Sequence, residues 1–410
     1  MSKIQPFNAL RPAENFAAGV ASRPYDVLNR EEAKKEAAEN TASFLHITKS
    51  EIDLPESVDI HDPSVYEKAK ENLKAFIDNH ILVQEASPAY YIYQLVMNGK
   101  SQTGLVAVSS VDDYEQDVIK KHEFTRPEKE QDRINHITIT GAQTGNVFLA
   151  YRDVPVLNEL ISQWKDAHTA IYDFVADDGI RHSVWLVDNP QTIRQITDIF
   201  EKQVPETYIA DGHHRAASAA KVRKGLGAAK TPASDYFLTT LFPASELQIL
   251  DYNRVITDLN GLTTTEFLEK LSANFTVTPS VQPVKPAALH HIGLYIDHTW
   301  YELVAKPGSF DEQDPVGVLD ISVLQKNVLG PILGILDQRT DKRIDFVGGI
   351  RGLEGLTARV DAGEMVLAFS LYPVDIQQLF AIADSGNVMP PKSTWFEPKL
   401  RDGLLTHLIK

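Results

Sequence analysis

The fold is decided by one short stretch, Tyr208-Ile209-Ala210-Asp211-Gly212-His213-His214-Arg215-Ala216-Ala217-Ser218-Ala219-Ala220, in which an apolar run gives way to an alanine-rich one. Residues 207–210 are typical of the end of a buried strand, and Asp211 is of a residue type that caps helix N-termini. Alanine is the strongest helix former, so the run that follows favours a helix. The sequence therefore predicts a strand, a tight turn and a helix.

The first turn of this helix carries His213, His214 and Arg215. A helix N-terminus bears about half a positive charge and several unpaired N–H groups, so it favours anions and opposes cations. A bound anion would remove the conflict, because Gly212 lets a ligand approach the backbone and Arg215 can bind two oxygens at once. We expect Arg215 to be exposed, so that Arg215→Ala abolishes nucleotide binding and leaves the fold intact. The alternative is an N-capped helix whose Arg215 pairs with a nearby carboxylate.

The composition is that of a globular protein with a sizeable core. Of 410 residues, 43% are hydrophobic and 23% are charged, and the length indicates two or three domains. The chain has 40 Lys and Arg against 56 Asp and Glu, a formal charge of −16, which is the wrong sign for a protein that coats nucleic acid. Cysteine is absent, which excludes thiolate nucleophiles and Cys-ligated zinc.

Targeting signals are not evident in the sequence. No apolar run approaches the ~20 residues of a membrane span, and the first residues lack the apolar centre of a signal peptide. A cytoplasmic protein is therefore expected.

Two α/β regions are predicted. In the first, two strand patterns flank Asn98-Gly99, a strong hairpin signal. After Arg254 the pattern shifts to short βα units, including a helix over 320–336 that is interrupted near Gly330-Pro331. We predict a mixed α/β (α+β) fold, with one domain over residues 1–258 and a smaller α/β domain over 259–410 whose C-terminal segment can return to the site.

A second group of charged residues lies between residues 120 and 133. Pro127 suits the first turn of a helix, and from there Lys129 and Arg133, four residues apart, are predicted to share one face. With Arg126 they would contact phosphate or substrate oxygens. The alternative is a solvated helix neutralised by its acidic residues, Glu128, Glu130 and Asp132.

A third group lies close to the C-terminus, at residues 389–399. Lys392-Ser393-Thr394 lacks the glycine spacing of a phosphate-binding P-loop, so Walker-type binding is not supported. Its lysine and hydroxyls, together with Lys399, could still line an anion pocket between rigid prolines. The alternative is a structured loop without a ligand.

Four motifs together resemble the bacterial and archaeal family catalogued as domain of unknown function 1015. They are Arg23-Pro24-Tyr25-Asp26-Val27, His122-Glu123-x-Thr125 with Lys129 and Asp132-Arg133, residues 208–215, and Met389-Pro390-Pro391-Lys392-Ser393-Thr394 with Phe396 and Pro398-Lys399. These motifs span nearly the whole chain. The resemblance implies a family and leaves the reaction open.

A shorter resemblance bears on the chemistry. Residues 211–215, between a strand and an alanine-rich helix, are similar to the phosphate-binding corner of the ParB and sulfiredoxin superfamily, which includes nucleotide-dependent free-serine kinases. The resemblance implies a ParB/sulfiredoxin-like first domain that holds nucleotide phosphates at the helix start. Sulfiredoxin chemistry requires a cysteine in this corner, where this chain has His213 or His214, and ParB proteins add a basic DNA-binding module for which a chain of charge −16 offers no candidate. Nucleotide binding, with phosphoryl transfer as its use, is what remains.

The sequence thus predicts a nucleotide-dependent phosphotransferase, or a nucleotide hydrolase, that acts on a small metabolite with ATP or ADP and Mg²⁺. The predicted catalytic residues are Asp26, Glu123 and His213, of which Asp26 or Glu123 would orient or deprotonate an attacking hydroxyl. The predicted nucleotide and phosphate ligands are Asp211, Gly212, His213, His214, Arg215, Arg126, Lys129, Arg133, Lys392, Ser393, Thr394 and Lys399. No nucleic-acid partner, membrane partner or protein-bound metal is predicted, and the oligomeric state stays open.

Two other functions stay open. A nucleotide-responsive binding protein would use the same helix start without turnover, because a sensor needs a hinge and no catalytic base. A metal-dependent hydrolase using Asp211, His213 and His214 is less favoured, because adjacent residues on a helix point about 100° apart.

Overall fold

The computed structural model describes residues 1–410 as a mixed α/β chain, which confirms the predicted fold class. The chain divides into two units. Unit 1 comprises residues 1–121, 125–247 and 398–410, and unit 2 comprises residues 122–124 and 248–397. The sequence divided the domains between residues 258 and 259, whereas residues 248–258 belong to unit 2, because their strand pairs with strands further along the chain.

Unit 1 is built on one mixed sheet. Its strands are β1 (Ile4–Gln5), β2 (Leu10–Pro12), β3 (Leu82–Gln84), β4 (Tyr90–Met97), β5 (Lys100–Ser110), β6 (Ile119–Lys120), β7 (Ala142–Gln143), β8 (Val147–Tyr151), β9 (Tyr172–Val175), β10 (Arg181–Val187), β11 (Thr207–Asp211) and β12 (Tyr236–Pro243). The main sheet has the order β6-β11-β8-β12-β5-β4-β10-β9, with β1 added to β5. The short strands β2 and β3 pair with each other outside this sheet, and β7 also lies outside it. The pairs β11 with β6 and β12 with β8 are parallel, and the other pairs are antiparallel.

The predicted hairpin joins β4 to β5. Asn98 and Gly99 have φ values of 52° and 76°, and the strands pair from Met97 with Lys100 outward. A two-residue turn with positive φ at both positions matches the right-handed twist of the strands. The prediction at Asn98-Gly99 is confirmed.

The helices of unit 1 pack on this sheet and on one another. They are α1 (Ala17–Val20), α2 (Arg30–Ala37), α3 (Leu45–Thr48), α4 (Pro63–Asp78), α5 (Val111–Glu115), α6 (Pro127–Thr140), α7 (Pro155–Ala167), α8 (Pro190–Gln203) and α9 (His213–Leu226). Pro127 lies in the first turn of α6, as predicted. The small side chains of Ala216, Ala219 and Ala220 place α9 directly on the core of the sheet.

Unit 2 is built on an antiparallel sheet. Its strands are β13 (Ile249–Leu250), β14 (Tyr252–Ile256), β15 (Phe275–Ser280), β16 (His291–Ile296), β17 (Thr299–Ala305), β18 (Ile344–Gly348), β19 (Leu367–Ser370) and β20 (Trp395–Phe396). Its helices are α10 (Thr264–Leu271), α11 (Asp320–Leu324), α12 (Glu354–Asp361) and α13 (Ile376–Asp384). The antiparallel sheet has six strands in the order β15-β17-β16-β19-β14-β18, and β13 pairs with β20 in a separate two-stranded sheet.

Two details of unit 2 and the C-terminus differ from the expectation. The helix predicted over 320–336 is shorter, since a π-helical turn, Gln325–Leu329, follows α11 and ends before Gly330-Pro331. The last strand, His407–Leu408, pairs with β7 in unit 1. None of the helices combines the length and the apolar composition needed to cross a bilayer.

Candidate functional site

The candidate site of unit 1 begins where β11 meets α9. The pairing of β11 with β8 shifts register between Ile209 and Asp211, and Gly212 follows at φ 95° as the N-cap of α9. The prediction that Asp211 caps the helix is wrong, because Asp211 still belongs to the strand and no N-cap side chain bonds to the first turn. A Cβ atom on Gly212 would lie 3.2 Å from Nε of Arg215 and 3.3 Å from Cα of Val147. The turn therefore requires glycine for both its φ and its space.

Arg215 lies inside the protein, with 8% of its surface exposed, so the expectation of an exposed Arg215 is wrong. Its Nη2 lies 3.6 Å from carboxylate oxygens of both Asp26 and Asp211, and its Nη1 donates to the carbonyl of Asn146. Burial opposes the charge, but these carboxylates and Asp402 raise the pKa of Arg215 above its ordinary value. Nε of Arg215 is buried without a hydrogen-bond partner. The geometry is that of the alternative in which Arg215 pairs with carboxylates.

Asp402 is the member of this cluster that no sequence signal selected. Its segment returns to unit 1 through paired backbone hydrogen bonds between Asp402 and Ser22, of 2.9 and 3.1 Å. A Cβ atom on Gly145 would lie 3.2 Å from Cδ of Arg215 and 3.4 Å from Oδ1 of Asp402, so this glycine makes room for both side chains. Burial raises the pKa of Asp402 to about 7, although Arg215 opposes the shift.

Lys399 joins the cluster from the same C-terminal segment. Its Nζ donates to Oδ2 of Asp211 at 3.0 Å, so two cations and three carboxyl groups meet at the start of α9. The guanidinium of Arg133 lies 3.8 Å from the ring centroid of Tyr25, the residue before Asp26. Residues 23–27, α6, α9 and residues 398–402 thus converge within unit 1.

The contact between α6 and α9 explains one further difference from prediction. Helix α6 buries Glu130, Arg133 and Ile137, while Lys129 is exposed, so Lys129 and Arg133 do not form one exposed basic surface although they are four residues apart. Arg133 instead pairs with Asp132 at 2.7 Å, which raises the pKa of Arg133 against the effect of burial. The helix that carries both residues is as predicted, but packing of α6 on its neighbours withdraws Arg133 from solvent, so only Lys129 of the two is available to a ligand.

The N-terminal ends of α6 and α9 meet. The backbone N–H of Arg126 donates to Nε2 of His214 at 2.9 Å, and one turn further Oγ of Ser218 donates to the carbonyl of Glu130 at 3.1 Å. Each helix has 14 residues, so each contributes a full macrodipole with its positive end at this contact. Because Nε2 of His214 accepts a hydrogen bond, its proton cannot be on that nitrogen.

The remaining predicted residues are distributed between the units. His213 is 6% exposed and lies in the first turn of α9. Glu123, Lys392, Ser393 and Thr394 belong to unit 2. No group of three or more His, Cys, Asp or Glu side chains is arranged to hold a metal ion.

Unit 1 also contains a cleft of about 400 Å³, which is within the size range of small-ligand sites. Arg23 and Glu36 form a 2.7 Å hydrogen-bonded ion pair in its wall, and the buried Arg401 pairs with Asp178. The cleft and the Arg215 cluster share two chain segments, since Ser22 lines the cleft and bonds to Asp402. The loop that lines the cleft therefore continues directly into the cluster.

A buried histidine orients Arg401. Nδ1 of His182 lies 2.8 Å from the hydroxyl of Tyr93, and Nε2 accepts from Nε of Arg401 at 3.4 Å. Burial first, and the charge of Arg401 second, lower the pKa of His182 to about 3. His182 is therefore neutral at pH 7 and acts as a positioning residue in the cleft wall.

The chain belongs to the family described as "Protein of unknown function (DUF1015)", which matches residues 4–322 and confirms the resemblance of its motifs. No curated protein gives a significant match. Among solved structures, a conserved hypothetical protein from Pyrococcus furiosus is 15% identical, with 73% of this chain and 93% of that chain covered at a TM-score of 0.36.

Two further solved structures show similar overlap. A free serine kinase in complex with AMP is 12% identical, covering 73% of this chain and 91% of its own at a TM-score of 0.36. SbnI with a C-terminal truncation, from Staphylococcus aureus, is 11% identical, covering 72% and 85% at a TM-score of 0.40. Overlap at this level does not assign an activity to this chain.

Proposed function

We propose that this protein is a nucleotide-dependent phosphotransferase, or a nucleotide hydrolase, that acts on a small metabolite and binds the phosphates of ATP or ADP where α6 and α9 meet. One observation carries the proposal: the positive ends of two 14-residue helices are joined by the hydrogen bond from Arg126 to His214. Helix N-termini are ready-made anion sites, and two acting on one point reinforce each other.

The side chains around this point supply solvent-accessible positive charge. Arg126 and Lys129 are exposed on the first turn of α6, and Lys399 is partly exposed beside Asp211. Phosphoryl transfer asks a protein mainly for positioning and for positive charge around the transferred group. In this proposal Arg126, Lys129 and Lys399 contact phosphate oxygens, while the buried Arg215 fixes the carboxylates in place.

Asp26 is the candidate general base. Its side chain is 40% exposed and lies 3.6 Å from Nη2 of Arg215. The carboxylate is therefore both oriented by Arg215 and open to a substrate. The cleft offers the acceptor metabolite a polar binding site, and the segment from Ser22 to Asp26 leads from the cleft to the cluster. A hydroxyl bound at the end of the cleft would donate its proton to Asp26 as its oxygen attacks the terminal phosphorus of the nucleotide, and the bridging P–O bond would break to release the shortened nucleotide.

The oxygen donors present fit Mg²⁺. Mg²⁺ is usually bound by one or two carboxylates together with phosphate oxygens, and Asp26 and Asp211 both present carboxylates beside Arg215. Asp211 would hold the ion together with phosphate oxygens, whereas Asp26 would act as the base, and the charge of the ion would offset that of the phosphates.

Binding and turnover can be tested separately. Purified protein is incubated with Mg²⁺, ATP, ADP or CTP and a metabolite mixture, and phosphorus NMR follows the nucleotide. Lys399→Met should weaken nucleotide binding by roughly tenfold to a hundredfold, the effect of one charge-assisted hydrogen bond. Lys224→Met, an exposed lysine in the last turn of α9, is the matched control and should leave affinity unchanged.

Asp26→Asn distinguishes an enzyme from a sensor. A general base contributes about 10²- to 10⁴-fold to the rate, so this variant should keep nucleotide affinity and lose most turnover. Tight binding by the wild-type protein with no change in the nucleotide would favour the non-catalytic binding protein. Equal affinity of the wild-type and Lys399→Met proteins would contradict the proposed phosphate site.

A further inference from the structure

Unit 2 contains a buried positive charge without a negative partner. Arg254, on β14, has no exposed surface, and no Asp or Glu lies within ion-pair distance of it. Its acceptors are neutral: Oε1 of Gln338 at 3.3 Å from Nε, the carbonyl of Tyr252 bonded to Nη1, and the carbonyl of Pro391 at 2.9 Å from Nη2. Buried arginines are almost always paired, so this arrangement needs an explanation.

The donors of Arg254 are incompletely used. A guanidinium has five N–H groups, and the three acceptors leave one N–H on each terminal nitrogen. Burial lowers the pKa of Arg254 to about 9, because no nearby charge compensates for the lost solvation. Two remaining N–H groups on one guanidinium are the donors that recognise an oxyanion.

The surroundings of Arg254 supply further groups suited to an oxyanion. Arg254 lines a small cavity of about 10 Å³ together with Ser393, Tyr372 and Asp320. Nζ of Lys392 lies 5.7 Å from the ring centroid of Tyr252, and the guanidinium of Arg254 lies 5.9 Å from the same centroid. Arg254 and the hydroxyl of Ser393 therefore line one cavity, and Lys392 lies near the ring of Tyr252, which lines the same cavity.

Asp320 is the one acid in this lining. Its Oδ1 accepts the backbone N–H of His290 at 2.7 Å, and burial raises the pKa of Asp320 to about 7. The carboxyl group is therefore substantially protonated near pH 7 and can donate to an oxyanion. A cavity of this volume holds one water at most, so a larger ligand requires displacement of the covering loop, residues 389–394.

The loop over residues 389–394 has features of a displaceable cover. Its contacts with the rest of unit 2 include the bond from Met389 to the carbonyl of His122 at 2.8 Å and the bond from Arg254 to Pro391. Lys392 has φ 58°, a conformation that is unfavourable for residues other than glycine. Outward movement of the loop would let Lys392 leave this unfavourable backbone conformation. It would also break the hydrogen bond to Pro391 and make that N–H group of Arg254 available to a ligand.

We propose that unit 2 carries a second oxyanion site, in which Arg254, Lys392 and Ser393 bind a phosphate or carboxylate group of a small ligand beneath the loop 389–394. The site does not depend on the function proposed for unit 1. Both candidate ligand groups carry two or more oxygens and a negative charge. The oxygens would accept the two remaining N–H groups of Arg254, and the negative charge would offset its positive charge.

Hydrogen exchange of the full-length protein, measured by mass spectrometry, tests this site. The probes are potassium phosphate and potassium malonate, with potassium chloride at matched ionic strength. Phosphate or malonate should slow exchange in peptides covering 252–256 and 389–394, by about tenfold when the anion is at ten times its Kd. Whichever anion is more effective identifies the ligand group.

Variants assign the effect to Arg254. Arg254→Gln removes the charge while keeping two N–H donors, and should abolish the slowing. Arg339→Gln changes an exposed arginine of unit 2 that pairs with Asp337, and should respond like the wild-type protein. If Arg254→Gln does not fold, Arg254→Lys keeps the charge without the planar fork and should bind at least about tenfold more weakly.

Three outcomes overturn the proposal. They are the absence of slowing in the wild-type protein, equal slowing by chloride, and undiminished slowing in the Arg254 variants. Arg254 is not among the residues proposed to bind nucleotide, so loss of the slowing in its variants separates this site from anion binding at α9, and persistence of the slowing in Lys399→Met separates it from failure of the nucleotide site.

Discussion

Replacing Asp402 by asparagine should change how the stability of unit 1 depends on pH. Asp402 is 1% exposed, and its pKa is raised to about 7 mainly by burial. In the unfolded chain its pKa is about 3.9. The folded protein therefore binds this proton more tightly than the unfolded chain, so the stabilising contribution is complete below about pH 4 and is lost as the pH rises through about 7.

The size of the effect follows from the two pKa values. A difference of about three pKa units corresponds to roughly 4 kcal/mol of unfolding free energy. An asparagine side chain cannot ionise, so the free energy of unfolding of Asp402→Asn, relative to the wild-type protein, should rise by up to about 4 kcal/mol between about pH 4 and about pH 8. His136, whose pKa burial lowers to about 4, titrates in part of this range with the opposite sign, but it is common to both proteins.

Tryptophan fluorescence during urea unfolding measures this difference in unit 1 alone. Trp164 and Trp185 belong to unit 1, so a background with Trp300→Phe and Trp395→Phe leaves only these two reporters. The unfolding free energies of the two proteins are compared at several pH values. A difference that stays constant across the range would refute the reasoning, because Asp402 would then have an ordinary pKa. If the difference instead falls as the pH rises, the pKa of Asp402 is lowered on folding, because the attraction of Arg215 for the ionised carboxylate outweighs the effect of burial.

Three further predictions concern the same unit. Arg215→Ala should lower the unfolding free energy by roughly 1 to 3 kcal/mol, because the buried hydrogen bond to the carbonyl of Asn146 and the ion pairs with Asp26 and Asp211 are lost; an unchanged urea midpoint would show that these contacts contribute nothing. Gly212→Ala should cost about 2 to 4 kcal/mol, whereas Gly99→Ala, also at positive φ but with no atom within 4 Å of the new Cβ, should cost about 1 kcal/mol; equal losses in thermal denaturation would contradict the proposed clash with the guanidinium. Arg401→Gln should raise the pKa of His182 from about 3, measured by NMR titration, and an unmoved pKa would mean that burial alone sets it.

Local signals in the sequence predicted the elements of the fold well. The Asn98-Gly99 turn, Pro127 in the first turn of α6 and the alanine run of α9 each fix the backbone within a few residues, and each is where it was predicted. Pairing between strands that are distant in the sequence could not be predicted in the same way. The short βα pattern after Arg254 did not predict the order of the six strands in the sheet of unit 2, because strand order depends on contacts that no local window contains.

The candidate site was predicted in its parts and less well in its geometry. Residue type and spacing selected Asp26, Asp211, Arg215 and Lys399, which the structure brings together in unit 1. The burial of Arg215 was missed, because an N-terminal helical turn is exposed unless other segments cover it. Asp402 and its neighbour Arg401 carried no signal, since their segment is distant in sequence and resembles no motif.

The electrostatic conflict at the start of α9 is resolved by carboxylates of the protein itself. Asp26 and Asp211 offset the charge of Arg215, and the pKa of Asp402 is raised to about 7 because its burial, reinforced by the nearby charge of Asp26, disfavours the ionised form. The cluster therefore needs no bound anion to be stable. The phosphates of a nucleotide would instead interact with the two helix dipoles and with the exposed charges beside them, while the internal ion pairs hold the carboxylates in a fixed orientation. A site that is balanced before the ligand arrives can release its product, because nothing in the empty state leaves a buried charge uncompensated.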